Sequence, residues 1–132
     1  MLSAALAKVK HHNPHASIVF VGSVAGFRGV KARSLYSASK AALYSITQSL
    51  ALELADKTIR VNYVAPAVVS GSKAEQQFAM LGEVHTLALK KEHPLGLSAP
   101  SDVANSIHFL LGDLSKQITG SHLLVDGGYL AK

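Results

Sequence analysis

SIVFVG, residues 17–22, is a continuous run of β-branched, aromatic and small residues that ends in glycine. Runs of this kind, without alternating polar positions, are typical of strands buried on both faces of a parallel sheet. TIRVNYVAP at 58–66 predicts a second strand, which stops at Pro66, and SHLLVDGG at 121–128 predicts a last strand, which ends in a turn. The sequence therefore predicts three strands, each followed by residues that favour loops.

Helical patterns separate these strands. A long helix is predicted over about 35–55 and another over 100–111, where proline suits the first helical position. The residues predicted to face the core are Leu43, Ile46, Leu50 and Leu54 in the first helix and Val103, Ile107, Leu110 and Leu111 in the second. A short helix is predicted at 2–10, and one or two around 73–91 in a less regular segment. Strands that alternate with helices predict parallel βαβ units, so residues 1–132 form a single α/β domain.

The composition is that of a folded protein. Its 132 residues suffice for one domain, and 48% apolar against 16% charged residues predicts a packed core. There are no cysteines, which excludes disulfides and thiolate metal sites and fits a reducing compartment. No apolar run reaches the ~18 residues of a membrane span, and the N-terminus lacks the apolar segment of a signal peptide. We therefore expect a cytoplasmic protein with no membrane partner.

The formal charge of +5 has two interpretations. Surplus lysine and arginine can serve an anionic partner, such as a nucleic acid, or they can belong to a solvated surface. The basic residues are dispersed and do not alternate with aromatic residues, so we favour the solvated surface and expect no nucleic-acid partner. Steep salt dependence of binding would contradict that expectation. His11, His12 and His15 are interpreted as a solvated turn and not a metal site, because no carboxylate or cysteine lies near them in sequence.

YSASK, residues 36–40, places a phenol and an ammonium group one helical turn apart at the start of the long helix. Residues i and i+4 share a helix face, so Tyr36 and Lys40 are predicted to point the same way. A free phenol has a pKa of about 10, and a nearby ammonium group favours the ionised form. Such a pair can exchange a proton with a substrate near neutral pH, although an ordinary surface pair is the alternative.

Ser23 directly follows the first strand, at its carboxyl end. Ligands of open parallel sheets bind at the carboxyl ends of the strands, so the chemistry is expected there. Ser23 lies 13 residues before Tyr36, which leaves a loop long enough to fold back over the start of the helix. Its hydroxyl could then hydrogen-bond the substrate oxygen that Tyr36 protonates. The alternative is a serine that only stabilises the turn.

Five blocks together resemble the short-chain dehydrogenase/reductase family. They are GSVAG, YSASKAAL, IRVNYVAP, PSDVANSIHFLL and ITGSHLLVDGG, in the family's order and along nearly the whole chain. The gap of four residues from Tyr36 to Lys40 matches the main body of the family, whereas its enoyl reductase branch uses a longer gap. The resemblance implies a partial Rossmann-like fold, a doubly wound parallel sheet of about three strands plus helices.

The resemblance also implies an activity, the NAD(P)(H)-dependent interconversion of a carbonyl and a secondary alcohol. Tyr36 resembles the family's general acid and base, and Ser23 resembles the residue that holds the substrate oxygen. Lys40 resembles the residue that supports the tyrosine and bonds the nicotinamide ribose. The implied partners are a small-molecule carbonyl or alcohol and further copies of the chain in a homo-oligomer; no metal is implied.

The segment after the second strand resembles the loop beside the nicotinamide. Pro66, Ala67 and Val69 are the cofactor contacts that this implies, together with Tyr36 and Lys40. The family usually has glycine where this chain has Ala67, and often a threonine where it has Gly71. The resemblance does not choose between NAD and NADP. It further implies structural roles for Asn62 and Asp126 and a substrate lid over 71–97.

The sequence contains no glycine-rich fingerprint, since glycines 22, 26 and 29 miss its spacing. The family's catalytic asparagine and the residue that selects between the two cofactors are not found either. We therefore expect a truncated form that lacks the N-terminal dinucleotide-binding half, with residues 17–22 as an unpaired edge. The alternative function is a non-catalytic remnant that associates through residues 36–55 and the last strand.

Overall fold

A parallel three-stranded sheet forms the centre of the computed structural model, which describes residues 15–131. The strands are β1 (Ser17–Val21), β2 (Arg60–Pro66) and β3 (His122–Val125), and they lie in that order. Both pairs are parallel, with Phe20 opposite Tyr63 and Ala65 opposite Leu124. The three predicted strands are thus confirmed. The predicted helix at 2–10, and His11 and His12, lie outside the described residues.

Within residues 15–131, four α-helices connect and cover the strands. They are α1 (Ser34–Glu53), α2 (Ser72–Leu81), α3 (Glu83–Lys91) and α4 (Pro100–Leu111). The bounds of α4 are those predicted, and the segment around 73–91 contains two helices. α4 begins at Pro100 because Asp102 accepts a hydrogen bond from the Ala99 N–H at 2.7 Å. Within residues 15–131 no helix has the length and apolar character to cross a membrane.

The helices pack on both faces of the sheet. On one face, Leu50, Ala51 and Leu54 of α1 form the core with Ile59 and Val61, and Ile18 and Phe20 pack against it. On the other face, the Ser17 hydroxyl and the Arg60 guanidinium both donate to the Leu110 carbonyl oxygen at the end of α4, each at 2.8 Å. This is the α/β, Rossmann-like arrangement predicted from the alternation of strands and helices.

Two predicted core positions are wrong. The Ile46 side chain is 45% exposed and that of Leu111 is 48% exposed. In α1 the buried face instead includes Thr47, which is 0% exposed. Its hydroxyl donates to the Leu43 carbonyl oxygen at 2.8 Å, so a polar residue is buried there without an unsatisfied group. Hydrophobicity alone could not reveal that Thr47 is buried while Ile46 is exposed.

β1 departs from its prediction because it lies at an edge. It pairs only with β2 among the described residues, and its side chains are half-buried, with Val21 48% exposed. β2 is the central strand, and every residue from Val61 to Pro66 is buried. The prediction of burial on both faces, made for residues 17–22, is therefore wrong for β1, and the expectation of an exposed edge is confirmed for the described residues.

Candidate active site

The carboxyl ends of β1 and β2 meet at one edge of the sheet, where they border a cavity of about 440 Å³. Ser23 follows β1 and Ala67 follows β2, and both line this cavity together with Tyr36 from the first turn of α1. The remaining lining residues are Val24, Ala25, Val30, Lys31, Arg33, Val68, Val69, Ala74, Gln77, Leu81, Leu89 and Tyr129. A cavity therefore lies at the strand ends, where the sequence predicts the site.

Ser23 stabilises a turn and lines the cavity at the same time. Its side-chain oxygen accepts a hydrogen bond from the Ala25 N–H at 3.2 Å and caps the 3-10 turn Val24–Gly26. Ser23 is 9% exposed, and no acceptor among residues 15–131 takes its hydroxyl proton. The turn function and a hydrogen bond to a ligand are compatible, because a hydroxyl donates one bond while it accepts others.

Tyr36 and Lys40 share a face of α1, as predicted. The Lys40 ammonium nitrogen lies 5.6 Å from the centroid of the Tyr36 ring and 3.5 Å from the Val21 carbonyl oxygen at the end of β1. Tyr36 is 42% exposed and lines the cavity, whereas Lys40 does not line it. The loop reaches the helix because Gly26 has no side chain; a Cβ there would lie 3.0 Å from the α1 backbone.

The predicted cofactor contacts divide into two groups. Ala67 and Val69 line the cavity, and a bridge between Val69 and Ser98 holds their loop. Pro66 does not line the cavity; it is buried at the end of β2, opposite Val125. Ala67, Val68 and Val69 give the cavity a wall of small apolar side chains, which suits the flat face of a nicotinamide ring.

Tyr63 is a residue near the site that sequence reasoning missed. Its side chain is 0% exposed, and its hydroxyl oxygen accepts a hydrogen bond from the Ser23 N–H at 2.9 Å. Burial raises the pKa of Tyr63 above the ordinary value of 10.0, the hydrogen bond from Ser23 opposes this, and the nearby Tyr36 adds to it. Period-two alternation places Tyr63 on the α1 face of β2 but does not reveal its contact with Ser23.

An aromatic cluster connects the end of α3 to the turn after β3. His93, just after α3, stacks on Tyr129 with ring centroids 4.8 Å apart, and the Arg28 guanidinium lies 4.6 Å from the Tyr129 centroid. Arg28 also forms an ion pair with Glu92 at 3.6 Å. Because Tyr129 lines the cavity, these contacts fix the end of α3 relative to the site. The sequence carries no local signal for this cluster, since its members are far apart in the chain.

The hydrogen bonds of Asn62 and Asp126 agree with the structural roles implied for them. The Asn62 side chain donates to the Ile118 carbonyl oxygen at 2.8 Å and accepts from the Ser121 N–H at 3.1 Å. Asp126 accepts hydrogen bonds from two backbone N–H groups of the turn after β3, each at 2.9 Å. Among residues 15–131 no three histidine or acidic side chains form a group able to hold a metal ion.

A family model described as enoyl-(acyl carrier protein) reductase matches residues 1–130. The chain belongs to the short-chain dehydrogenase/reductase family. It is 45% identical over 113 residues to the human 3-oxoacyl-[acyl-carrier-protein] reductase, covering 85% of this chain and 44% of that protein. The curated members of the family that it matches are longer, and it spans from 24% to 48% of their length.

Solved structures of the family superpose on the described fold. A short-chain dehydrogenase family protein from Francisella tularensis has a TM-score of 0.81 at 39% identity, covering 91% of this chain and 53% of its own. ElxO, solved with NADP bound, has a TM-score of 0.79 at 32% identity, covering 88% of this chain and 47% of its own. The short-chain dehydrogenase/reductase resemblance predicted from the five sequence blocks is thereby confirmed.

Proposed function

We propose that the protein carrying this chain is an NAD(P)(H)-dependent oxidoreductase that interconverts a carbonyl and a secondary alcohol. The observation that supports this most is that Ser23 and Tyr36 line one cavity at the carboxyl ends of β1 and β2. Lys40 supports it further, with its ammonium nitrogen 5.6 Å from the Tyr36 ring centroid. Two hydroxyl groups that face one cavity are suited to act on a single substrate oxygen.

In this proposal Tyr36 moves the proton. During reduction its hydroxyl donates the proton to the carbonyl oxygen, and in the reverse direction its phenolate takes the proton back from the alcohol. Ser23 donates a hydrogen bond to the same oxygen and so stabilises the negative charge that develops there. The Lys40 cation favours the phenolate that remains after the proton has left. A bound reduced nicotinamide would supply the hydride to the carbonyl carbon during reduction, and the oxidised form would accept it in the reverse direction.

The cofactor proposal concerns the nicotinamide end of NAD or NADP. Ala67 and Val69 would contact the ring, Pro66 would fix the start of their loop, and Tyr36 and Lys40 would contact the ribose. The small apolar wall of the cavity fits this group. The described residues contain no glycine-rich turn that could cradle the pyrophosphate. The proposal covers both NAD and NADP, because the family resemblance does not choose between them.

Enoyl reduction is the second candidate, because it is the description of the matching family model. The gap of four residues between Tyr36 and Lys40 favours carbonyl reduction instead, and so does the similarity to the human 3-oxoacyl-[acyl-carrier-protein] reductase. The two reactions are separated by assaying a 3-oxoacyl thioester and the corresponding enoyl thioester with the same cofactor. We expect turnover of the first and none of the second.

A homo-oligomer in the cytoplasm completes the proposal. Leu35 and Ile46 lie on the same face of α1, about three helical turns apart, and are 87% and 45% exposed, which is an apolar surface that a second copy could cover. The same surface would serve the alternative function, a non-catalytic module that only associates. Sedimentation of the protein with Ile46→Ser tests this surface: we expect a shift toward the monomer, and an unchanged oligomer would contradict it.

Carbonyl reduction by Tyr36→Phe tests the proposed activity. The full-length gene product that contains these residues is supplied with NADPH or NADH and a panel of ketones. Loss of the proton donor should lower kcat by about 100-fold or more. Tyr44→Phe is the matched control, because its hydroxyl interacts with Gln48 and His122 and does not line the cavity. Turnover that survives unchanged in Tyr36→Phe would refute the proposed chemistry.

A further inference from the structure

The Tyr63 hydroxyl joins two parts of the candidate active site. Its oxygen accepts the Ser23 N–H at 2.9 Å and lies 3.1 Å from the Lys40 carbonyl oxygen and 3.3 Å from the Ser23 carbonyl oxygen. The single phenolic proton can be donated to either carbonyl. When the phenol donates to the Lys40 carbonyl oxygen, the shorter of the two contacts, it links the main chain of Ser23 to the turn of α1 that carries Tyr36 and Lys40.

Gly22 makes this contact possible. A Cβ at residue 22 would lie 1.7 to 2.2 Å from the Tyr63 ring and hydroxyl, so the phenol occupies the space of the missing side chain. The Gly22 N–H still donates to the Val64 carbonyl oxygen at 2.8 Å, which continues the pairing of β1 with β2 up to Gly22. The phenol therefore reaches the loop directly beneath the residue that lines the cavity.

Core packing alone does not explain the hydroxyl. The Tyr63 ring packs edge-on against Phe27 and Tyr44, with centroids 5.8 and 5.7 Å away, and phenylalanine would preserve those contacts. A fully buried hydroxyl is costly unless it forms hydrogen bonds. Here the partners are main-chain groups of Ser23 and Lys40, two residues of the proposed catalytic set.

We propose that Tyr63 is a positioning residue, whose hydroxyl fixes Ser23 relative to Tyr36 and Lys40. This rests on the proposed function. Tyr63 acts through the backbone and does not line the cavity, so its hydroxyl never touches the substrate. Since burial raises its pKa, Tyr63 stays a neutral donor and acceptor and does not compete with Tyr36 for the substrate proton.

Amide hydrogen exchange tests the hydrogen bond from the Ser23 N–H to the Tyr63 hydroxyl without any assay of activity. In Tyr63→Phe the Ser23 N–H loses its acceptor, and its hydrogen exchange measured by NMR should accelerate by about tenfold. Tyr44→Phe should leave that exchange unchanged. Gly22→Ala should also accelerate exchange of the Ser23 N–H, because its Cβ would push the Tyr63 ring away. Gly29→Ala is its control, because a Cβ there would meet nothing within 4 Å. Unchanged Ser23 exchange in both Tyr63→Phe and Gly22→Ala would overturn the proposal.

Steady-state kinetics then test the positioning role in the full-length gene product. Tyr63→Phe should lower kcat for carbonyl reduction by about tenfold with KM unchanged, because only the alignment of Ser23 is lost. Faster Ser23 exchange with an unchanged kcat would overturn the positioning role, while a strong loss in Tyr36→Phe would leave the proposed function intact. Unchanged turnover in Tyr36→Phe would defeat the proposed function and the positioning role together. The exchange data would still show whether the Tyr63 hydroxyl binds the Ser23 N–H.

Discussion

At the scale of single residues, the Tyr63 hydroxyl contacts the main chain of both Ser23 and Lys40, in the space that Gly22 leaves open. The alternation of β2 predicts the face on which Tyr63 lies. Its partners depend on the register that places Phe20 opposite Tyr63, and on the return of the loop over α1. Tyr36 and Lys40 were predictable, since both lie on one helix and four residues apart. A contact between three separate elements has no comparable local signature.

Tyr63 also predicts how stability depends on alkaline pH. Below pH 10 the phenol is protonated in both the folded and the unfolded chain, so its contribution is fully present there. As the pH rises above 10, the unfolded phenol ionises first, because burial raises the folded pKa. The free energy of unfolding should then fall by up to about 1.4 kcal/mol per pH unit until the folded pKa is reached.

Urea denaturation across this pH range measures the effect as a difference between variants. Tyr63→Phe removes the group, so its stability should decline less steeply above pH 10 than that of the wild type. Tyr44→Phe retains Tyr63 and should decline as the wild type does. Parallel curves for the wild type and Tyr63→Phe would show that burial does not hold this phenol in its protonated form.

At the scale of elements, the spacing of apolar residues predicted which segments are helices or strands better than it predicted which face of each is buried. The bounds of α4 follow from Pro100 and its apolar spacing, and α1 was predicted to within two residues at each end. The errors at Ile46 and Leu111 arose because the buried face of a helix is decided by the surface it meets. The same reason applies to β1, whose composition suits a central strand although it lies at an edge of the described sheet.

Arg60 connects the start of β2 to the end of α4, two elements that are predicted independently from their sequences. At the start of β2 its guanidinium donates to the Leu110 and Gly112 carbonyl oxygens at 2.8 and 3.0 Å and to the Ser115 hydroxyl at 3.0 Å. It thus satisfies carbonyls at the end of α4 that have no helical partner. Arg60→Lys retains the charge but loses the two guanidinium nitrogens that donate to separate acceptors. It should lower the free energy of unfolding by about 1–3 kcal/mol.

Thermal and urea unfolding of Arg60→Lys check this value. Arg33→Lys is the matched control, because Arg33 is exposed and forms no ion pair within residues 15–131. Its change should stay within about 0.5 kcal/mol. An equal effect of the two substitutions would mean that the bonds of Arg60 to the end of α4 do not contribute.

At the scale of the whole molecule, the described residues 15–131 hold the proposed proton-transfer site and contain no glycine-rich turn to cradle a pyrophosphate. Binding of a dinucleotide depends strongly on backbone N–H groups at a helix N-terminus that meet the phosphates. The 132-residue chain by itself should therefore bind NADH or NADPH weakly. A fluorescence titration measures this, and micromolar binding by the monomeric chain would contradict it.

Reduced nicotinamide mononucleotide is the matched probe for that titration. It carries the nicotinamide ribose that Ala67, Val69 and Lys40 are proposed to contact, but it lacks the adenosine half. Without a cradle the adenosine half adds no contacts, so the mononucleotide and NADH should bind the 132-residue chain equally weakly. Much tighter binding of NADH would reveal a phosphate site within these residues.

The central claim is that Ser23 and Tyr36 act together on one substrate oxygen. Carbonyl reduction by Ser23→Ala, Tyr36→Phe and the double variant of the full-length gene product tests it most directly. Residues that act as a unit are strongly non-additive, so the double variant should lose no more of kcat than Tyr36→Phe alone. Losses that multiply in the double variant, or a Tyr36→Phe variant as fast as the wild type, would contradict the claim.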